Sequence, residues 1–174
     1  MNPTTLYTIG HGNLDLQSFL NLLQEAGIQT LVDVRAQPHS RSYPHFDQEN
    51  LRVELEALGM VYHWAGRHLG GHRQAAANSP HTALAEDMRG FADHMQTHDF
   101  EIAVAQLRNL ATRAPTAILC AERDPERCHR RLICDYLVLR GMQVMHLLPG
   151  ESRPHALSPE ARRESAQLIY DRRA

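Results

Sequence analysis

Residues 6–27, LYTIGHGNLDLQSFLNLLQEAG, decide the fold class. Leu6-Tyr7-Thr8-Ile9 is a short β-rich run. Gly10-His11-Gly12-Asn13 stops it, and Leu16, Phe19, Leu20, Leu22 and Leu23 follow at helical spacing up to Gly27, so the stretch reads as strand, turn and helix. The pattern recurs outward along the chain. Thr30 to Val34 is a second buried strand, broken at Gln37-Pro38-His39-Ser40, and Asp47 is placed to cap a helix carrying Leu51, Leu55 and Leu58 before Gly59. Strands are predicted again at 60–64, 116–120 and 143–148, with helices over 83–97 and 100–113. Asp124-Pro125 opens a helix expected to run to Arg140, with Asp as cap and Pro in the first turn. Residues 66–80 read as a long loop, which at that length is functional or mobile. Ser158-Pro159-Glu160 is expected to open a last short helix, making 150–174 a helical tail.

Strands alternating with helices predict an α/β fold, a three-layer Rossmann-like sandwich around a mostly parallel five-stranded sheet. With no repeat or low-complexity linker, residues 1–174 read as one domain. The chain has 174 residues, 43% hydrophobic and 22% charged, with a formal net charge of -2. That balance excludes disorder as the main state and scaffolds that need metal or disulfide staples. No apolar run approaches a membrane span and no basic, then apolar, leader is visible, so the expectation is a cytoplasmic protein without membrane contact. Cys120, Cys128 and Cys134 are odd in number and lack scaffold spacing, which suits free thiols. All 18 basic residues are Arg. The absence of Lys excludes Schiff-base chemistry and a P-loop lysine, so an anion site would have to use Arg, His or backbone N–H groups.

The unusual polar residues collect after the predicted strands: His11 and Asn13 after the first, Asp33, Arg35, Ser40 and Arg41 at the second, and His68 to Arg73 after the third. The fourth is followed by Cys120 through Arg130. In a parallel sheet, loops leaving the carboxyl ends form the ligand crevice, so these clusters should converge on one rim.

Thr8 to Asn13, Leu31 to Arg35 with Pro38 and Ser40-Arg41, Leu69-Gly70-Gly71, and Leu119 to Glu122 through Cys128-His129-Arg130 together resemble the DUF488 family over residues 6–149. The family name records a domain of unknown function, so the resemblance implies a fold and a shared rim but no reaction.

Residue by residue, the glycines flanking His11 free the backbone at a strand-to-helix turn. They do not form a dinucleotide fingerprint, because Asp15 stands where its last glycine would be. Asp33 and Arg35 flank Val34 on one strand face, either as a base beside an anion clamp or as an internal ion pair. Cys128 could be a thiolate near a helix start, yet Cys128, Leu132, Tyr136 and Leu139 follow the spacing of a buried face. Cys120 and Cys134 read as core residues, and no CxxxxxR phosphatase loop is present. His129-Arg130 suits phosphate recognition or a solvated surface pair. His63, His68 and His72 lack a zinc-ligand pattern, though a divalent metal held by Asp, Glu or His stays open.

The leading expectation is therefore an enzyme for a phosphate-bearing substrate, a nucleotide or nucleic-acid end. His11, Asp33 and Glu122 would move protons, and Asn13, Arg35, Ser40, Arg41, Cys128, His129 and Arg130 would bind. The rivals are a noncatalytic nucleotide or nucleic-acid binding module and a protein-interaction domain.

Overall fold

The computed structural model describes residues 3–173. Its chain order is β1 (Thr5–Gly10), α1 (Leu16–Glu25), β2 (Thr30–Asp33), α2 (Gln48–Ala57), β3 (Val61–Trp64), α3 (Gly66–Leu69), α4 (Glu86–His94) and α5 (His98–Arg113). Then come β4 (Thr116–Cys120), α6 (Arg130–Val138), β5 (Gln143–Leu148), β6 (Glu151–Pro154), β7 (Ala161–Glu164) and β8 (Gln167–Tyr170). The sheet order is β3-β2-β4-β1-β5-β6. The five expected strands are present and mutually parallel.

Period-two geometry sorts the strand residues onto two cores. Ile9, Leu31, Ala117 and Leu119 meet Phe19, Leu20 and Leu23 of α1 and Leu51 and Leu55 of α2. On the other face Leu6, Val32, Ile118, Cys120 and Val144 meet Phe91, Phe100, Val104, Leu107, Leu132 and Ile133 from α4, α5 and α6. Central strands covered on both faces carry near-continuous apolar runs, and all five residues of β4 are buried. The Asp15 carboxylate caps α1 by accepting from the Ser18 N–H, and Thr97 caps α5 through Phe100 N–H. No helix among the described residues is long and apolar enough to cross a membrane.

Several expectations are corrected. The sheet has six strands, because Pro149-Gly150 closes a hairpin, with Leu148 paired to Glu151 and Gly150 at φ 78°. The added β6 is antiparallel, fully exposed and ends at Pro154, as suits an edge strand. The tail is not helical: β7 and β8 form a second hairpin. Alternating burial along β8 sends Leu168 and Tyr170 into the core beside Ala161, and that tertiary docking overrides the helical leaning of the Ala- and Glu-containing segment. Residues 66–80 contain the single turn α3 rather than only loop.

The Asp47 carboxylate accepts from the Ser40 N–H rather than capping α2. The helix expected from Asp124-Pro125 stops after one 3-10 turn at Pro125–Arg127. Cys128 is extended, with φ -122° and ψ 146°, and α6 begins only at Arg130.

Tyr170 anchors the terminal hairpin by donating its hydroxyl to Asp135 Oδ2 at 2.9 Å, and Asp135 is fully buried. Tyr170→Phe should lower unfolding stability by about 1.5–3 kcal/mol, the usual worth of a hydrogen bond to a charged acceptor. Urea denaturation measures it, and an unchanged midpoint would mean that the hairpin is not docked through this bond.

Candidate functional site

The strand ends of β1 and β4 stay joined beyond the sheet. Gly10 pairs with Cys120, His11 N–H donates to Cys120 O at 3.0 Å, and Gly12 N–H donates to Ala121 O at 2.9 Å. A Cβ on Gly10 would lie 1.8 Å from Glu122 O and 2.5 Å from Arg130 Nη1, so only glycine admits the closing loop and the side chain beneath it.

That side chain is the central feature of the site. Arg130 is 1% exposed and runs inward from the start of α6. Its Nη1 donates to Cys120 Sγ at 3.0 Å and its Nη2 to Arg123 O at 3.1 Å, while its Nε has no partner among the described residues. Among the described residues no carboxylate lies within ion-pair reach of it. A buried guanidinium without a counter-charge is costly, and the group it meets is a sulfur that can carry one.

Cys128 faces the same sulfur. Its extended backbone breaks the helix, and its Sγ accepts from the Arg130 N–H at 3.4 Å. Burial by itself would raise the Cys120 thiol; the Cys128 donor and the Arg130 charge overcome it and bring the thiol down to about 7. The Cys128 thiol moves the opposite way, pushed well above its ordinary value by burial and by its bond to Cys120. His129 Nε2–H donates to Leu69 O at 3.0 Å, which leaves Nδ1 as an acceptor 3.8 Å from Cys128 Sγ. Burial holds His129 neutral, its pKa lowered to about 4.

Both thiols, His129, Arg35, Glu122 and Arg127 line an open cleft of about 600 Å³ at the carboxyl ends of β2 and β4. His11, Asn13, Asp33, Ser40, Arg41 and Arg130 do not line it. Asp33 lies on the α1/α2 face and is fully buried. It holds Arg35 by two bonds, Nε to Oδ1 at 2.9 Å and Nη2 to Oδ2 at 2.7 Å, and Tyr62 donates its hydroxyl to the same carboxylate. Arg35 Nη1 donates to Phe46 O at 2.7 Å, so this guanidinium is spent on the fold and Asp33 has no outlet as a base.

His11 stacks on Phe46 with ring centroids 4.5 Å apart and donates Nδ1–H to Gly12 O. Ser40 Oγ accepts from Tyr43 N–H, and Asn13 and Arg41 are exposed away from the cleft. Glu122 lines the cleft and accepts from Asp124 N–H at 3.1 Å.

The sequence reading placed Cys120 in the core, where it packs, but did not anticipate that its sulfur also edges the cleft. The available signal was its position as the last residue of a strand, where the other polar clusters begin.

The model of the family called domain of unknown function DUF488 matches residues 15–137. The chain belongs to the DUF488 family. The match takes in Asp33, Arg35, both cleft cysteines and Arg130, and starts after the Thr8 to Asn13 stretch. No curated protein and no solved structure matches this DUF488 chain.

The buried histidines make its stability pH-dependent. His129 takes a proton at 6.5 when unfolded but only near 4 when folded, and burial also lowers His11 and His81. Between those values the unfolded state binds more protons, so stability should fall as pH drops from 6.5 toward 4. His129→Gln should flatten that slope in urea titrations across the window; an equal slope in the variant would show that His129 does not contribute.

Proposed function

We propose that this protein is a dithiol oxidoreductase that exchanges with a disulfide substrate in the cleft, with Cys120 as nucleophile and Cys128 as resolving thiol. The observation carrying this reading is the fully buried Arg130 guanidinium, whose Nη1 meets Cys120 Sγ at 3.0 Å with no carboxylate in reach among the described residues. Two thiols at one cleft, one lowered and one raised, form the pair that exchange requires.

The Cys120 thiolate attacks one sulfur of a disulfide R–S–S–R′, forming a bond to RS and releasing R′S⁻, which takes a proton from solvent. Cys128 then attacks the Cys120 sulfur and gives up its proton toward the departing sulfur. The Cys120–Cys128 bond forms, RS⁻ leaves and recovers the proton, and the electron pair of the dithiol has moved to the substrate. Arg130 holds the thiolate in the first step.

A phosphate-bearing nucleotide or nucleic-acid end is the second reading. Arg127 favours it: its guanidinium lines the cleft with a side chain 79% exposed and only a 3.7 Å contact to Asp124. It would receive a ligand phosphate without dismantling a buried pair. The same guanidinium could equally hold an anionic group on a disulfide.

Incubated with a small disulfide such as oxidised glutathione, the native chain should gain an internal Cys120–Cys128 bond, and Cys128→Ser should stop at a mixed disulfide on Cys120. Arg130→Met should slow the first step about tenfold or more at neutral pH by removing thiolate. Peptide mass mapping reads both outcomes. A folded chain whose Cys120 does not react, together with a thermal shift on adding nucleotides, would replace the dithiol reading with the phosphate one.

A further inference from the structure

On the far side of β1 from the cleft lies a second cluster that the dithiol chemistry does not use. Cys134 of α6, His146 of β5 and His155 after β6 bring one ligand atom each within 4.8 Å of one another. Their outer hydrogen bonds are already in place. His155 Nε2–H donates to Asp135 Oδ1 at 2.7 Å, which turns Nδ1 toward His146 Nε2 at 2.9 Å. His146 Nδ1 in turn meets the Thr8 hydroxyl.

We propose that Cys134, His146 and His155 bind a transition-metal ion of the Zn²⁺ class, with the Thr8 hydroxyl and the Asp135 carboxylate orienting the two imidazoles. One thiolate and two imidazoles are the donors that Zn²⁺ takes, and three protein ligands leave a fourth position for water or a substrate atom. A carboxylate or hydroxyl on the far nitrogen of each ligand histidine is the support that fixes ring orientation in metal sites.

Without metal, one proton bridges His146 Nε2 and His155 Nδ1. Metal binding at Nε2 moves that hydrogen to His146 Nδ1, where it donates to the Thr8 hydroxyl, which turns from donor to acceptor. The separation of 2.9 Å is a few tenths of an ångström short of the span across a tetrahedral ion with bonds of about 2.0–2.1 Å, so the two rings part slightly to admit the ion. Arg130 acts on both Cys134 and His146, and the Cys134 thiol, raised by burial, gives up its proton only to the bound ion.

Access is also present. His146 and His155 line a cavity of about 370 Å³ with Arg131, Arg153, Ser158 and Glu160. Ser158 is 4% exposed and its hydroxyl has no partner among the described residues, so a polar group stands at the wall beside the histidines.

Co²⁺ added to the chelator-treated, reduced full chain is the probe, because a cobalt–thiolate bond gives a charge-transfer band. One equivalent should bind with that band. Cys134→Ser should abolish the band, and Cys120→Ser should keep it. His155→Gln should weaken affinity at least about tenfold, and Thr8→Val, which loses only an outer bond, about tenfold. Absence of binding to the folded native chain would overturn the proposal. So would a band lost in Cys120→Ser but kept in Cys134→Ser, or an affinity unchanged in both His155→Gln and Thr8→Val.

Discussion

The contact between the Arg130 guanidinium and the Cys120 sulfur organises the carboxyl end of the sheet. A charge that is 1% exposed has to be matched from within, and the side chain reaches its partner only by passing under the β1 turn. Gly10 is the residue that leaves that passage open. The break at Cys128 serves the same contact, since a continuous helix from Asp124 would carry Cys128 on the helix surface. The 3-10 turn followed by an extended residue instead swings its sulfur onto the Arg130 N–H at the cleft that Cys120 also lines.

Much of the fold was legible because its central strands are covered on both faces. Val32, Ile118 and Val144 sit in apolar runs bounded by polar turns, and the helices between them repeat their hydrophobic residues at helical spacing. The terminal segment was not legible. Its burial rests on a few alternating positions, Ala161, Leu168 and Tyr170, whose meaning depends on a docking surface far away in sequence. Pro149-Gly150 gave the turn, but an exposed edge strand such as Glu151–Pro154 has no apolar face to announce it.

At the site, residues following β2, β3 and β4 share one cleft while His11 and Asn13 after β1 stay out of it, and the roles of the residues were not readable. Asp33 and Arg35 read in the sequence as either a functional pair or an internal one, and only the folded arrangement distinguishes a guanidinium aimed at a ligand from one spent on Asp33 and Phe46 O. His11 sits between flexible glycines, yet its ring is taken up by stacking on Phe46. Cys120 was hidden by its apolar neighbours in β4, because what makes a thiol reactive is the charge beside it, and that charge arrives from ten residues downstream. The Cys134, His146 and His155 cluster is spread over a helix, a strand and a loop, so no local spacing rule exposes it.

The dithiol reading depends on Cys120 carrying the counter-charge to Arg130 in the resting protein. Thiolate ultraviolet absorbance, taken as the difference between the native chain and Cys120→Ser across a pH titration, measures that charge directly. The account predicts a transition near 7, moving upward in Arg130→Met. A Cys120 transition at or above the ordinary thiol value of about 8.5 in the native chain would contradict it, leaving the guanidinium without a counter-charge and the pair without a nucleophile.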